Sequence, residues 1–245
     1  MHYVIGDVHG NYKTLLALVE KLPKDAILIF VGDLIDRGKE SAKVVRFVRE
    51  NNHLCVLGNH EEMMFTYGFF LVEAYENSTP LPQHNLWYAN GGIMTLLSYG
   101  LIRLVEGSPA KIEEFEAPLQ RFKEDMKWME KLPLYIELDL SHVSHMPVVV
   151  SHAPIESVWN LRHVDFMYAT FHRVATTNRR NPDEDANIFN IFGHTPMRDG
   201  VEIKHHYVNV DTGCYMGAES EIYGYKRLSA YCVETGEVLS TEYEG

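Results

Sequence analysis

An α/β fold with two packed sheets is what this chain predicts, on three observations. Through the first quarter, short apolar runs alternate with amphipathic helical patterns, which argues for parallel strands joined by right-handed crossovers. Each of those runs ends in glycine followed by Asp, His or Asn. The second half carries strand patterns without regular helices, which points to a second sheet packed on the first.

The first unit is a strand at 3–5 entering Gly6-Asp7-Val8-His9-Gly10. Asp7 and His9 are two apart, so an extended backbone turns both to one side, where a carboxylate and an imidazole can chelate one metal ion. Asn11 opens an amphipathic helix with Leu15, Leu16, Leu18, Val19 and Leu22 inward, stopped by Pro23. The second unit is the strand at 26–31, the loop Gly32-Asp33-Leu34-Ile35-Asp36-Arg37-Gly38, and a helix over 39–50 with Val44, Val45, Phe47 and Val48 as its apolar side. The third is the strand at 54–57 followed by Gly58-Asn59-His60-Glu61. Parallel pairing carries all three loops to the C-terminal edge of one sheet, where ligands of open α/β sheets bind.

Residues 62–133 predict a helical cap over the sheet. Met63, Met64, Phe65, Phe69, Phe70 and Leu71 read as helical core, and Trp87-Tyr88-Ala89-Asn90-Gly91-Gly92 as a turn with aromatic bulk. Ile112, Phe115, Leu119, Phe122, Met126 and Met129 recur at helical spacing, with Ser108 and Pro109 at the start of that helix. Strand character resumes at 134–140 and 147–150, the latter ending in Ser151-His152, and again at 188–192 before Gly193-His194-Thr195-Pro196. The stretch 208–213 is a strand running into a turn, and 227–239 a hairpin around Thr235-Gly236. No linker composition divides residues 1–245, so one domain is expected.

Composition narrows the function. Apolar residues make up 46% and charged residues 23%, typical of a soluble globular chain. With 22 basic against 34 acidic residues the net charge is −12, which disfavours nucleic acid and anionic membrane as partners. Cys55, Cys214 and Cys232 form no C-x-x-C, so neither a disulfide framework nor a thiolate zinc site is expected. The apolar start lacks a basic n-region, no apolar run is long enough to span a bilayer, and a cytoplasmic monomer is the default expectation.

Asp7, His9, Asp33, Asn59, His152 and His194 are the candidate metal ligands. Oxygen and imidazole donors without thiolate suit manganese, iron or zinc. Six ligands on five loops exceed one tetrahedral zinc site and fit two divalent ions about 3.5–4 Å apart. Asp33, on the middle strand end, is the natural bridge, with Asp7 and His9 on one ion and Asn59, His152 and His194 on the other. Such a pair makes a bridging hydroxide available near neutral pH and neutralises charge on a phosphoryl group. Arg37 offers a planar fork for phosphoryl oxygens. His60, beside Asn59, is placed to protonate the departing oxygen, and Asp36 to hold the imidazole cationic. The pair His205-His206 falls in an expected strand, where two neighbours face opposite sides, and Arg179-Arg180 reads as a solvated loop.

The ordered blocks Gly6-Asp7-Val8-His9-Gly10, Gly32-Asp33-Leu34-Ile35-Asp36-Arg37-Gly38, Gly58-Asn59-His60-Glu61, Ser151-His152 and Gly193-His194-Thr195-Pro196 resemble the phosphoprotein phosphatase family of calcineurin-like metallophosphoesterases. The nearer likeness is to the bacterial and phage lambda protein phosphatase type, which Glu61-Glu62-Met63-Met64, the Trp87…Asn90-Gly91-Gly92 stretch and Leu132-Pro133-Leu134 also resemble. The resemblance implies two packed mixed β-sheets flanked by helices, and metal-dependent hydrolysis of phosphoserine and phosphothreonine in a phosphoprotein or phosphopeptide. It also implies a second phosphate-binding arginine between the His152 and His194 blocks. Arg173 in Phe171-His172-Arg173 fits the expected distance, whereas Arg162 comes earlier. Residues 218–225 exceed the corresponding family turn and are expected at the cleft rim. Two rivals remain: a symmetrical dinucleoside tetraphosphate hydrolase, whose members resemble this chain but tend to carry Asp at the Glu61 position and to lack the Asp36-type acid, and a non-catalytic scaffold of the same fold.

Overall fold

The protein is described here by a computed structural model covering residues 1–140, 142–182, 187–217 and 226–244. In chain order the elements are β1 (His2–Ile5), α1 (Tyr12–Val19), β2 (Ile27–Phe30), α2 (Ser41–Glu50), β3 (Leu54–Cys55), α3 (Asn59–Glu76), α4 (Ile93–Tyr99), β4 (Ile102–Val105), β5 (Ser108–Lys111) and α5 (Glu116–Met129). They continue with β6 (Tyr135–Leu138), β7 (Val148–Ser151), α6 (Tyr168–Thr177), β8 (Phe189–Phe192), β9 (Glu202–Ile203), β10 (Tyr207–Asn209), β11 (Arg227–Cys232) and β12 (Val238–Glu242).

Two five-stranded mixed sheets form the centre, in the orders β12-β11-β1-β2-β3 and β6-β7-β8-β10-β9. Each holds a parallel trio, β1-β2-β3 in one and β7-β8-β10 in the other, edged by antiparallel strands. Period-two alternation sorts each strand's side chains between layers. Val4, Ile29 and Val31 face Val148, Val150, Ile191 and Val208 across the sheet interface. Their neighbours Tyr3, Ile5, Leu28 and Phe30 pack outward against α1 and α2 residues such as Leu15, Leu18, Val44 and Val48. On the far side Val149 and Ile188 meet Phe171 and Ala175 of α6. The expected four-layer arrangement of helix, sheet, sheet and helix is therefore present.

Four local expectations change. The second half, expected to lack regular helices, holds the ten-residue α6, whose Phe171 and Ala175 pack on the far side of the second sheet. Ser108 and Pro109 do not start a helix; they lie in β5, which pairs with β4. Glu106 and Gly107 both take positive φ (50° and 80°), the requirement of a tight two-residue hairpin turn, and the helix begins only at Glu116. The cap is thus helices α3–α5 plus a hairpin. Within α3, Met64 and Leu71 are buried, but Phe69 and Phe70 are about half exposed. His205 and His206 occupy a bend between β9 and β10 rather than a strand. Residues 218–225, expected at the cleft rim, lie outside the described residues. Cys55, Cys214 and Cys232 are free and buried. No helix among the described residues is long and apolar enough to cross a membrane.

Candidate metal centre

The candidate ligands sit just past the C-terminal ends of five of the six parallel strands: Asp7 and His9 after β1, Asp33 after β2, Asn59 after β3, His152 after β7 and His194 after β8. The sheets therefore bring their two ligand-bearing edges together. The backbone there is strained: His9, Asp33, Asp36, Arg37 and His194 all take positive φ, between 46° and 72°. Left-handed turns abruptly reverse the strand direction. This differs from the extended Asp7–His9 segment expected from spacing, because His9 itself leaves the strand conformation.

Asp33 is central. Its Oδ2 lies 3.5 Å from His9 Nε2 and 3.8 Å from His60 Nε2, while Oδ1 lies 3.5 Å from His152 Nε2. Two clusters of candidate donors share it, His9-Asp33-His60 and Asp33-His152-His194. Asn59 Oδ1 is 2.9 Å from His152 Nε2, and His194 Nδ1 is 3.0 Å from the same nitrogen. Asp7 lies against the His194 backbone, accepting its N–H at 3.2 Å on each oxygen, and a Cβ at Gly193 would overlap it.

Tautomers are set from behind. His9 Nδ1 donates to the Ile35 carbonyl and His152 Nδ1 to the Val31 carbonyl, each at 2.8 Å, so both Nε2 lone pairs face Asp33. Burial keeps His9 and His152 well on the neutral side, and burial with the neighbouring His152 holds His194 at about 3. Burial, Asp211 and Asp33 push the Asp7 carboxyl well above its ordinary range. Asp33 behaves oppositely: burial opposes ionisation, but His152, His60, His9 and His194 outweigh it and hold the carboxyl far down.

These residues fit cations. Neutral imidazoles aim lone pairs inward, buried carboxylates repel one another, and the buried His194 Nε2 and Asp211 Oδ2 have no hydrogen-bond partner among the described residues. A polyvalent cation relieves each of these at once.

Glu61 positions Asp33. Its carboxylate accepts the N–H groups of Asp33 and Leu34 at 2.8 Å and of Gly58 at 3.1 Å. His60 N–H, in the first turn of α3, donates to Asp33 Oδ1 at 3.0 Å, so a helix N-terminus faces the Asp33 carboxylate.

His60 Nδ1 lies 2.6 Å from Asp36 Oδ2. Burial disfavours the imidazolium, but Asp33 and Asp36 outweigh it and raise His60 above its ordinary value. Asp36 is fully buried and accepts from Trp87 Nε1 (2.9 and 3.0 Å) and Thr95 Oγ1 (2.6 Å). The Arg37 guanidinium spans the two rings, Nη1 3.1 Å from His9 Nε2 and Nη2 3.2 Å from His60 Nε2. Gly91 makes room for it: with φ 102°, a Cβ there would sit 2.7 Å from Arg37 N.

Arg162 stacks on Trp159 at 3.9 Å and donates to its carbonyl. Arg173, on α6, lines a cavity of about 540 Å³ together with Arg179 and Arg180. Of these three arginines, Arg179 is the one whose charge acts on His152, His194, Asp211 and Tyr215. Asp211, Trp87 and Arg179 were not singled out as site residues from sequence. Asp211 follows β10 and repeats the strand-then-acid construction, which is the signal that marks it; burial pushes it up to about 7. Trp87 and Arg179 reach the site only by tertiary packing.

Such a fold, with candidate ligands at the joined edges of two mixed sheets, defines a metallophosphoesterase. The calcineurin-like phosphoesterase family profile matches residues 3–220, and the chain belongs to that family of dinuclear metal-dependent hydrolases. It is 30% identical over 223 residues to serine/threonine-protein phosphatase 1 of Salmonella typhimurium, covering 89% of this chain and 88% of that protein. It is 27% identical over 202 residues to a symmetrical bis(5'-nucleosyl)-tetraphosphatase of Coxiella burnetii, covering 80% of this chain and 55% of that one. Among solved structures, a cold-active protein-tyrosine phosphatase of a Shewanella psychrophile superposes with TM-score 0.51 at 15% identity, over 99% of this chain and 77% of that one. That last likeness is one of fold.

Proposed function

We propose that the chain is a serine/threonine-type phosphoprotein phosphatase that transfers the phosphoryl group directly to water. The observation carrying this reading is the buried Asp36–His60 pair, with His60 Nε2 turned toward Arg37 and Asp33. Asp7, His9 and Asp33 would hold one divalent ion and Asp33, Asn59, His152 and His194 the other, manganese being the first choice for assay. When bound, the ions supply an acidified water and neutralise charge on the phosphoryl group.

The chain's own residues do the rest. Arg37 grips phosphoryl oxygens through two parallel N–H groups. The opposing guanidinium comes from the wall shared by Arg173, the residue the family resemblance implies, and Arg179, whose charge helps to lower His152 and His194. His60 Nε2–H gives its proton to the departing serine or threonine oxygen, and Asp36 holds the ring cationic and oriented for that transfer. Trp87 and Thr95 fix the Asp36 carboxylate in turn.

Symmetrical hydrolysis of dinucleoside tetraphosphates is the second reading, supported by the Coxiella relative. Steady-state kinetics on phosphoserine peptides and diadenosine tetraphosphate, in defined manganese, separate the two. A kcat/KM on the dinucleotide at least tenfold above that on every phosphopeptide overturns the first reading.

A further inference from the structure

The Asp36–Arg37 turn is gripped from the cap. Both residues take positive φ, 72° and 66°, a conformation that two consecutive side-chain-bearing residues hold only when their surroundings impose it. Thr95 Oγ1, on α4, accepts the Asp36 N–H at 2.9 Å and donates to Asp36 Oδ1 at 2.6 Å. Trp87 Nε1 donates to both oxygens of the same carboxylate, at 2.9 and 3.0 Å, and the Gly91 carbonyl accepts the Arg37 N–H at 3.4 Å. With His60 Nδ1 at 2.6 Å from Oδ2, these donors fill the roughly four lone-pair positions of an ionised carboxylate. Asp36, Trp87 and Thr95 are fully buried, so these donors, and not solvent, decide how the carboxylate is turned. The clasp is itself braced. A Cβ at Gly92 would lie 2.6 Å from the Trp87 ring, and Ser98 Oγ of α4 accepts the Ala42 N–H of α2 at 3.0 Å.

We propose that Trp87 and Thr95 are positioning residues for proton delivery: by fixing the Asp36 carboxylate they keep the His60 ring oriented toward the departing oxygen, and the cap thereby favours alkyl over aryl phosphomonoesters. The inference rests on His60 acting as the acid, as in the reading above, and deepens that reading by naming the leaving-group class. His60 touches one oxygen of Asp36, which leaves the carboxylate torsion free; the two cap donors remove that freedom from the other side. When water's oxygen bonds to phosphorus and the ester P–O bond breaks, the Nε2 proton goes to the departing oxygen. An alkoxide, as from serine or threonine, is a strong base and departs only as that proton arrives. A phenolate is a far weaker base and leaves with little help. Orientation of the acid therefore counts most on alkyl esters.

The test compares manganese-loaded wild type with Thr95→Val, which keeps the shape and loses the hydroxyl, Thr95→Ser, which keeps the hydroxyl, and Trp87→Phe. Glycerol 2-phosphate and a phosphoserine peptide serve as alkyl esters, para-nitrophenyl phosphate and the matching phosphotyrosine peptide as aryl esters, and diadenosine tetraphosphate as an anhydride. Thr95→Val and Trp87→Phe should lose about ten- to hundredfold in kcat on the alkyl esters and about threefold or less on para-nitrophenyl phosphate, with KM within about twofold throughout. Thr95→Ser should return to within about threefold of wild type. Equal losses on alkyl and aryl esters, losses carried by KM, or no rescue by serine refute the positioning role. If Trp87→Phe does not fold, the two Thr95 variants decide. A further readout needs no turnover. In the metal-free protein one of the three tryptophan indole N–H signals, identified by its absence from Trp87→Phe, should be protected from solvent exchange and should shift in Asp36→Asn. An indole N–H that exchanges freely, or that ignores that substitution, refutes the role as well. If the alkyl–aryl pattern holds while wild type prefers diadenosine tetraphosphate at least tenfold in kcat/KM over every phosphopeptide, the positioning role stands and the serine/threonine reading falls. If wild type prefers phosphoserine peptides and the variants lose equally on all substrates, that reading stands and the positioning role falls.

Discussion

The Arg37 guanidinium carbon lies over the Tyr215 ring, 3.9 Å from its centroid, and the same ring meets His9 edge-on at 4.9 Å. Tyr215 therefore sets the plane of the fork that must meet a phosphoryl group, while touching a candidate metal ligand. Tyr215→Leu keeps apolar bulk and removes the stack, a loss of about 0.5–2 kcal/mol. The expected outcome is a several-fold rise in KM for para-nitrophenyl phosphate with manganese content unchanged, read by kinetics beside metal analysis. An unchanged KM would show that Arg37 needs no such support.

His60→Asn removes the proton donor and leaves the neighbouring oxygen and nitrogen donors in place. Turnover should fall by a factor of about one hundred to ten thousand. The decrease should be smaller on para-nitrophenyl phosphate than on phosphoserine peptides, because nitrophenolate leaves without a proton. Equal losses on both would remove His60 from the role of acid.

Asp33 joins both donor clusters, so Asp33→Asn should abolish the thermal stabilisation that manganese gives the metal-free protein. Saturation at one hundred times Kd corresponds to about 2.7 kcal/mol for one site, several degrees in a melting scan. A variant that kept the full shift would show that Asp33 is not a shared ligand.

Asp125 ties α5 to its neighbours: Arg49 donates to Oδ1 at 2.5 Å and Tyr99 to Oδ2 at 2.8 Å. Asp125→Ala leaves the buried Tyr99 hydroxyl without its acceptor, costing about 1–3 kcal/mol. A lower melting temperature with kcat unchanged is the expected pair of results.

Glu234 gives a pH signature far from the metals. Burial alone would raise it, but the His2 ring and backbone N–H, at 2.7 and 2.9 Å, outweigh burial and bring it to about 2 from an ordinary 4.5. A depressed folded value means stability present above 4.5 and lost as pH falls toward 2. Because Glu234 is 30% exposed, the contribution is below about 1 kcal/mol. The melting-temperature gap between wild type and Glu234→Gln should narrow as pH falls below 4.5.

Much of this protein was legible in the chain because its construction is local and repeated. An apolar run ending in Gly-Asp, Gly-Asn-His or Gly-His-Thr tells, from a few residues, where a strand stops and which donors follow. Parallel pairing then sends those donors to one edge, so Asp7, His9, Asp33, Asn59, His152 and His194 could be named without coordinates. Composition and spacing carried no such signal for Trp87 or Arg179. Trp87 reaches Asp36 across 51 residues, and the charge of Arg179, in the loop after α6, helps to lower His152 and His194. The same holds for the hairpin at 102–111, where two positive-φ residues overrode a helical period. Sequence by itself determined the strand ends and the donor set, since those depend on neighbours along the chain. Only tertiary structure decided the Trp87 and Thr95 support of Asp36 and the Tyr215 stack on Arg37, because each joins side chains whose meeting depends on how distant segments pack.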